Sequence, residues 1–525
     1  MASRFEDAPH PGRLETCHER EAFLEKPEST SQTPFCRGFC GAGLVFLSVF
    51  AVHLVLFQRT FGVLPTADDF TVLDEIRRGR EEGILRLFAR SGQAMNYRPL
   101  QSVVLWAAAS IDPPNRVFWL HVAGSVCFAI LAAATAWAAH VCRLGITATV
   151  CAAVVLLLGP ASVATTVSLD GFCAPAAVGV MWLGVIGAYA ARHRPRQSLL
   201  ILAAAFVTSV LLKEYALAIV LLGPWTMLFA QRQRRLHWAA TSAVMLCGLT
   251  LALIAVRTRT IAAGGNTGMG YVVFDPILWA KNIVALTAAI CFPGDTSWVY
   301  LNRGPVAYAV LAGGCGLVVA MLAGGVAFYW RAHDGEHRAR VFYWVGAFFL
   351  AMFPPFLTRV SEMYVIGAML PFCILAGMAC EGWLRAPRRV RGGIVVMWAA
   401  VSLWGAYSAQ VKVRKLWDIG IEADRRLASI ASQVPGTLRD ATIHVYQPRS
   451  MLDTPHYSVY LPPEPALLCD EAIDWALPGR GLRGAFYFFD DAEAPDVRAA
   501  ELNFIWDPVL RTFVQPQAQR SSGRP

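Results

Sequence analysis

"VFWLHVAGSVCFAILAAATAWAAH", residues 117–140, holds no Asp, Glu, Lys or Arg over its whole length. A helix needs about 20 apolar residues to cross the hydrocarbon core of a bilayer, and this stretch has that reach. The next basic residue, Arg143, comes just after it, followed by Gly145 and a second apolar run. Working outward, the same pattern repeats along the chain. Apolar runs fall at 39–57, 117–140, 144–164, 174–191, 198–212, 215–230, 238–256, 305–330, 341–357, 364–384 and 392–409. Several are short for a straight span, so their ends are soft by a few residues. Of the 525 residues, 56% are hydrophobic and 16% charged, where a soluble domain carries about 25% charged. The reading is a mainly α, polytopic membrane helical bundle of about 11 spans.

Lys and Arg set the orientation. Basic loops occur at Arg143, Arg192, Arg232, Arg331 and Arg385, each after an even-numbered span. Cytoplasmic loops are enriched in these residues, which places the amino terminus in the cytoplasm and the carboxy terminus outside. The expected location is the bacterial inner (plasma) membrane. Residues 277–292 are apolar but short and bracketed by Pro276 and Pro293. Counting them as a span would move the last two basic loops outside, so a re-entrant or interfacial helix fits better.

Four domains follow: a disordered cytoplasmic segment 1–37, a membrane domain 38–409 with a long first outer loop 58–116, a small extracytoplasmic α/β domain 410–514, and a disordered tail 515–525. The polar segment before residue 39 is too long for a signal-peptide layout, so 39–57 reads as a retained span. In the terminal domain "KLWDIGIEADRRLASIASQV" has helical periodicity, and "ATIHVYQ", "GAFYFF" and "NFIWD" read as strands. The net charge of +9 comes from clusters between apolar runs, which is a membrane-loop pattern and excludes a nucleic-acid reading. Cys127, Cys151, Cys247 and Cys315 lie inside apolar runs and behave as small hydrophobes. Cys36, Cys40 and Cys469 lack partners at zinc spacing, so no disulfide or zinc framework is expected.

Polar residues collect on the outer side. Asp68 and Asp69 follow the first span, with "NYRPL" (Tyr97, Arg98) later in the same loop. Asp170 lies in the second outer loop. Lys213 and Glu214 sit at the tip of an apolar hairpin, and "RVSEMY" carries Arg359, Glu362 and Tyr364 between the ninth and tenth spans. Each has an ordinary explanation. Asp68–Asp69 would cap a helix, Lys213–Glu214 would be an exposed ion pair worth little, Arg98 would snorkel to headgroups, and Arg359–Glu362 would be an i,i+3 pair. His121 and His140 suit packing or an interface better than metal ligation.

Taken together, "ADDF", the "NYRPLQSVVLWAAASIDPPNRVFWLHV" stretch, "LLKEYALAIVLLGPW" and "SEMYVIGAMLPF" resemble the C-type membrane glycosyltransferase superfamily. That group includes protein O-mannosyltransferases and lipid A aminoarabinose transferases. The resemblance spans roughly residues 39–384. Met363 stands where relatives commonly carry Arg, and Arg359, about one helical turn earlier, is placed to present a guanidinium instead. The resemblance implies an enzyme that moves a sugar from a polyprenyl-phosphate donor to an acceptor hydroxyl on the extracytoplasmic face. Asp68 or Asp69 is the implied base, with Asp68 slightly favoured. Arg98, Lys213 and Arg359 are implied to face the donor phosphate, Glu214 and Glu362 to orient those cations, and Tyr97 and Tyr364 to line the sugar site. A single base implies inversion at the sugar carbon. No resident metal is assigned, although a divalent cation near Asp68 and Asp69 is chemically open. The implied partners are the lipid-linked sugar, membrane lipid and an acceptor that is a protein, lipid or polysaccharide. Nucleic acid is not among them. The rival reading is a polytopic lipid or glycan transporter or flippase without transfer chemistry. That class favours mid-bilayer charges and repeats, neither of which the sequence displays.

Overall fold

A computed structural model describes residues 34–62, 69–85, 88, 98–167, 169, 171–230, 234–260, 275–302, 304–357, 362–448, 471–490, 502–510 and 512–515. The helices in chain order are α1 (Pro34–Leu56), α2 (Asp69–Glu82), α3 (Pro99–Ile111), α4 (Arg116–Val141), α5 (Ile146–Leu158) and α6 (Pro160–Val167). They continue with α7 (Ala174–Ala190), α8 (Pro195–Leu212), α9 (Ile219–Ala230), α10 (Arg235–Thr260), α11 (Pro276–Cys291) and α12 (Thr296–Asn302). The last are α13 (Pro305–Ala332), α14 (Gly335–Phe356), α15 (Ile366–Leu384), α16 (Arg388–Gln433) and α17 (Glu471–Ala476). Short 3-10 turns cover Gln58–Gly62, Glu214–Ala218 and Glu362–Val365.

All eleven apolar runs are helical, but they are not equivalent. Seven helices among the described residues are long and apolar enough to cross a membrane: those at Pro113–Val141, Pro195–Leu212, Arg235–Thr258, Pro305–Ala332, Gly335–Phe356, Met363–Leu384 and Arg388–Gln433. The expected span 144–164 is a broken pair, α5 and α6, bent by 55°. The break falls at Gly159–Pro160, where proline starts the new helix at its first position and a Cβ on Gly159 would run into Met369. Ala174–Ala190, Glu214–Phe229 and Pro276–Cys291 are shorter apolar helices, and α1 is apolar from Gly41 to Leu56. Of the eleven expected crossings, seven stand as single helices of spanning length among the described residues, or eight with the bent pair.

Burial sorts the helices. Inside the protein lies 83% of the apolar window of Met363–Leu384, against 17% for Arg235–Thr258. α15 is thus a core helix, and α10 turns Val244, Leu251 and Ile254 outward. Such apolar exposure would be a liability in water and is normal against lipid. Small residues allow close approach in the core: a Cβ on Gly382 would strike the Gly325 carbonyl. Deep in the bundle His53 ties three helices together, its Nδ1 3.1 Å from Ser125 Oγ and its Nε2 3.1 Å from Thr166 Oγ1. His121 is buried, 5.0 Å from the Phe172 ring in an edge contact. Cys127, Cys151, Cys247 and Cys315 are free thiols.

The terminal sheet has order β2–β1–β3–β4, with β1 (Thr442–Pro448), β2 (Arg483–Phe489), β3 (Leu502–Asp507) and β4 (Thr512–Val514). β1 pairs in parallel with both β2 and β3, while β4 is antiparallel to β3. The membrane span at 392–409 and the amphipathic stretch after it form one helix, α16, of 46 residues, about 69 Å long. The boundary at 409/410 is a point along an unbroken helix. Likewise α1 begins at Pro34, inside the segment expected to be disordered. The rest of that segment and the tail 516–525 lie outside the described residues. The far end of α16 covers the sheet: Arg426 is buried with its guanidinium 4.0 Å from the Trp506 ring, and Gln433 Nε2 donates to Phe513 O at 2.7 Å.

The two ends of the bundle differ. Arg143, Arg192 and Arg340 line one cavity, and Arg385 joins Glu381 and His333 nearby. Lys213 ends α8, whose first residue, Pro195, lies beside this basic cluster. Eighteen helical residues at 1.5 Å each separate Lys213 from it by about 27 Å.

Candidate active site

Two chain breaks create the polar end. Arg98 precedes Pro99, and proline disfavours helical backbone in the residue before it. Arg98 accordingly caps α3 at φ −134°, ψ 62°. Lys213 ends α8 in extended conformation, at φ −162°, ψ 137°, and a 3-10 turn follows. These unwound residues meet across 116 positions of sequence. Arg98 Nε donates to Glu214 Oε2 at 2.7 Å, and Arg98 Nη2 donates to Glu214 Oε1. The paired fork fixes the guanidinium plane and turns its opposite edge away from Glu214.

Burial gives this cluster its weight. Lys213 is 0% exposed. The side chains of Arg98 and Glu214 are 10% and 27% exposed. Burial pushes the Glu214 carboxyl up, but the charge and hydrogen bonds of Arg98, with Lys213 behind, outweigh it and hold it at about 2. The ordinary reading of Lys213 and Glu214 as an exposed hairpin-tip pair gives way to a largely buried cluster in which Glu214 pairs with Arg98. Lys213 Nζ lies 5.4 Å from the Tyr215 ring centroid. Tyr215 meets Tyr364 edge-on at 5.1 Å, which brings the turn after α14 to the same place.

Sequence reasoning missed two members. Arg257, half-buried near the end of α10, lies within electrostatic reach of Glu214 and Arg98. Its signal was present: "RTRT" follows an apolar run and, in the expected orientation, falls on the outer side, against the usual basic bias. Tyr215 was passed over as part of an apolar run.

Asp69 is the first residue of α2. The buried Val72, Leu73 and Ile76 lie on α2, and α3 and α17 pack against that helix. Near its other end Arg80 donates to the Ala109 carbonyl of α3. Arg77 Nε reaches Asp474 Oδ2 at 3.9 Å, and Arg116 lies 4.1 Å from the Trp475 ring centroid, so α17 is held against α2 and the start of α4. Gly62 abuts Trp417 of α16. Glu362 opens the 3-10 turn that contains Tyr364. Asp68, Tyr97, Asp170 and Arg359 lie outside the described residues, as do the side chains of Asp69 and Glu362. Among the described residues no group of three His, Cys, Asp or Glu side chains forms a metal site, and those acidic side chains are not in that set.

No family model matches the chain, and no curated protein matches it. Solved structures that resemble it include two of one protein. The crystal structure of ArnT from Cupriavidus metallidurans bound to undecaprenyl phosphate is 13% identical, with 84% of this chain and 89% of that one covered and a TM-score of 0.46. The same protein in the apo state is 12% identical, with 84% and 90% covered and a TM-score of 0.46. At that level of overlay and identity, neither likeness says what this chain binds.

Proposed function

We propose that this membrane protein is a glycosyltransferase that moves a sugar from a polyprenyl-phosphate donor to an acceptor hydroxyl. The observation that carries the reading is the buried Arg98–Glu214–Lys213 cluster, with Arg257 in reach, at the end of the bundle opposite the basic loops. Taking cations out of water is costly. Arg98, Lys213 and Arg257 gather around Glu214, and such a group of cations suits a phosphate bearing two negative charges when it departs. With the basic loops in the cytoplasm, this end opens to the extracytoplasmic face of the inner membrane.

In the proposed reaction the acceptor oxygen attacks the anomeric carbon while the bond from that carbon to the phosphate oxygen breaks. The polyprenyl phosphate leaves with the electron pair. The acceptor proton passes to Asp68 or Asp69. Arg98, Lys213, Arg257 and Arg359 stabilise the leaving phosphate, and Glu214 and Glu362 hold those cations in place. Tyr97 and Tyr364 flank the sugar. One displacement gives inversion. The 55° break between α5 and α6 is the feature that favours the transporter alternative, and Gly159–Pro160 accounts for it locally.

Mass spectrometry of envelope glycans in a strain lacking the protein tests the reading. A missing sugar should return with the wild-type chain and stay missing with the Asp68→Asn/Asp69→Asn double variant at equal protein level. Restoration by both would overturn it.

A further inference from the structure

The basic end of the bundle holds a cavity of about 720 Å³ that the proposed chemistry does not use. It lies where α4, α7 and α9 end and α14 begins. Arg143, Arg192 and Arg340 line it together with Tyr189, Tyr343 and Trp344. Glu336 is the one carboxylate among its lining residues, and it pairs with Arg340 at 2.6 Å.

Arginines at helix C-termini have an ordinary use, since they offset the negative end of the helix dipole. Arg340 does this, with Nη1 donating to the Cys142 carbonyl at 2.9 Å. Arg143 is different. The end of α4 is already turned by backbone bonds: Arg143 N donates to His140 O at 2.9 Å, and Leu144 N donates to Ala139 O at 3.0 Å. This motif needs a left-handed residue after the cap, for which glycine is the favoured choice. The chain has Arg143 there, at φ 57°. A side chain kept against the preference of its backbone points to a use for that side chain. Arg192 stands exposed across the cavity, 5.4 Å from the Tyr189 ring centroid.

The geometry points to a binding site for a phosphate-bearing anion at this end, with arginines at the rim and aromatic rings as the floor. The volume is within the usual ligand-pocket range of about 300–1,000 Å³ and far exceeds a bare inorganic ion. Basic pockets between membrane helices on the cytoplasmic side take acidic lipid headgroups. A soluble phosphate ester offers the same chemistry without acyl chains.

The full chain in nanodiscs separates these sources and does not depend on any sugar transfer. Retention of cardiolipin is measured against phosphatidylcholine by native mass spectrometry, with glycerol phosphate titrated as the soluble probe. The Arg143→Gly/Arg192→Ala variant relaxes the α4 terminus, so its folding is not at risk from that change. It should lose about tenfold or more in retention of the bound anion, while Arg331→Ala, outside the cavity, should lose nothing. Loss of cardiolipin retention supports a lipid headgroup as the occupant, and loss of glycerol phosphate binding alone supports a soluble ester. Equal retention by wild type and the double variant for both probes would overturn the site.

Discussion

At one end of the bundle, arginines sit in loops and at helix termini, paired with neighbours a turn away, as Arg340 is with Glu336 and Arg385 with Glu381. At the other end a few cations are buried and paired over long distances in sequence, as Arg98 is with Glu214. Short-range pairs mark the first end. Expense marks the second, because a buried ammonium such as that of Lys213 persists only where the surroundings hold it. Burial therefore picks out the candidate site where charge alone does not.

The contrast can be broken by substitution. Glu214→Ala should have the largest effect on the fold. It leaves the Arg98 and Lys213 charges buried without their carboxylate, a change costing about 3–5 kcal/mol, seen as a lower thermal midpoint in detergent. The corresponding change at the basic end, Glu381→Ala, removes a pair whose arginine side chain is 42% exposed and should cost about 1 kcal/mol or less. Similar losses from both would remove the distinction. Arg257→Ala should weaken binding of undecaprenyl phosphate by about tenfold, with a thermal midpoint close to wild type. Smallest is the effect of pH. A carboxyl held at about 2 contributes its stability fully above the ordinary carboxylate range and loses it only as pH falls through that value. Thermal midpoints of wild type and Glu214→Gln should therefore differ by a constant amount between about pH 5 and about pH 8, above the usual carboxylate value of about 4. A difference that shrinks across this window would show that Glu214 is not held so low.

The helices were legible because lipid imposes a simple rule: every backbone polar group is satisfied within a helix. Span lengths were less so. The runs at 174–191 and 215–230 are apolar enough to read as crossings, yet the helices there are short, packed against the core instead of standing alone. Gly159–Pro160 was visible as a break signal inside 144–164 but was absorbed into a straight span. The join within α16 was hidden because the sequence turns from apolar to amphipathic near Ala409 while helical periodicity continues. Three strands of the terminal sheet could be read from β-branched and aromatic runs. β4, of three residues, is too short to carry a period. At the candidate site, each of Arg98, Lys213 and Glu214 was visible by type. Their pairing was not, since it joins residues from separate helix ends, and neither was Arg257.

The most direct measurement is the affinity of the purified chain for undecaprenyl phosphate, wild type against Lys213→Met. Methionine is close to lysine in size and leaves Glu214 paired with Arg98, and a thermal midpoint identifies the folded chain on which affinity is compared. Affinity should fall by at least about tenfold, while Arg331→Ala at the other end leaves it unchanged. Undiminished affinity in a folded Lys213→Met chain would contradict the account.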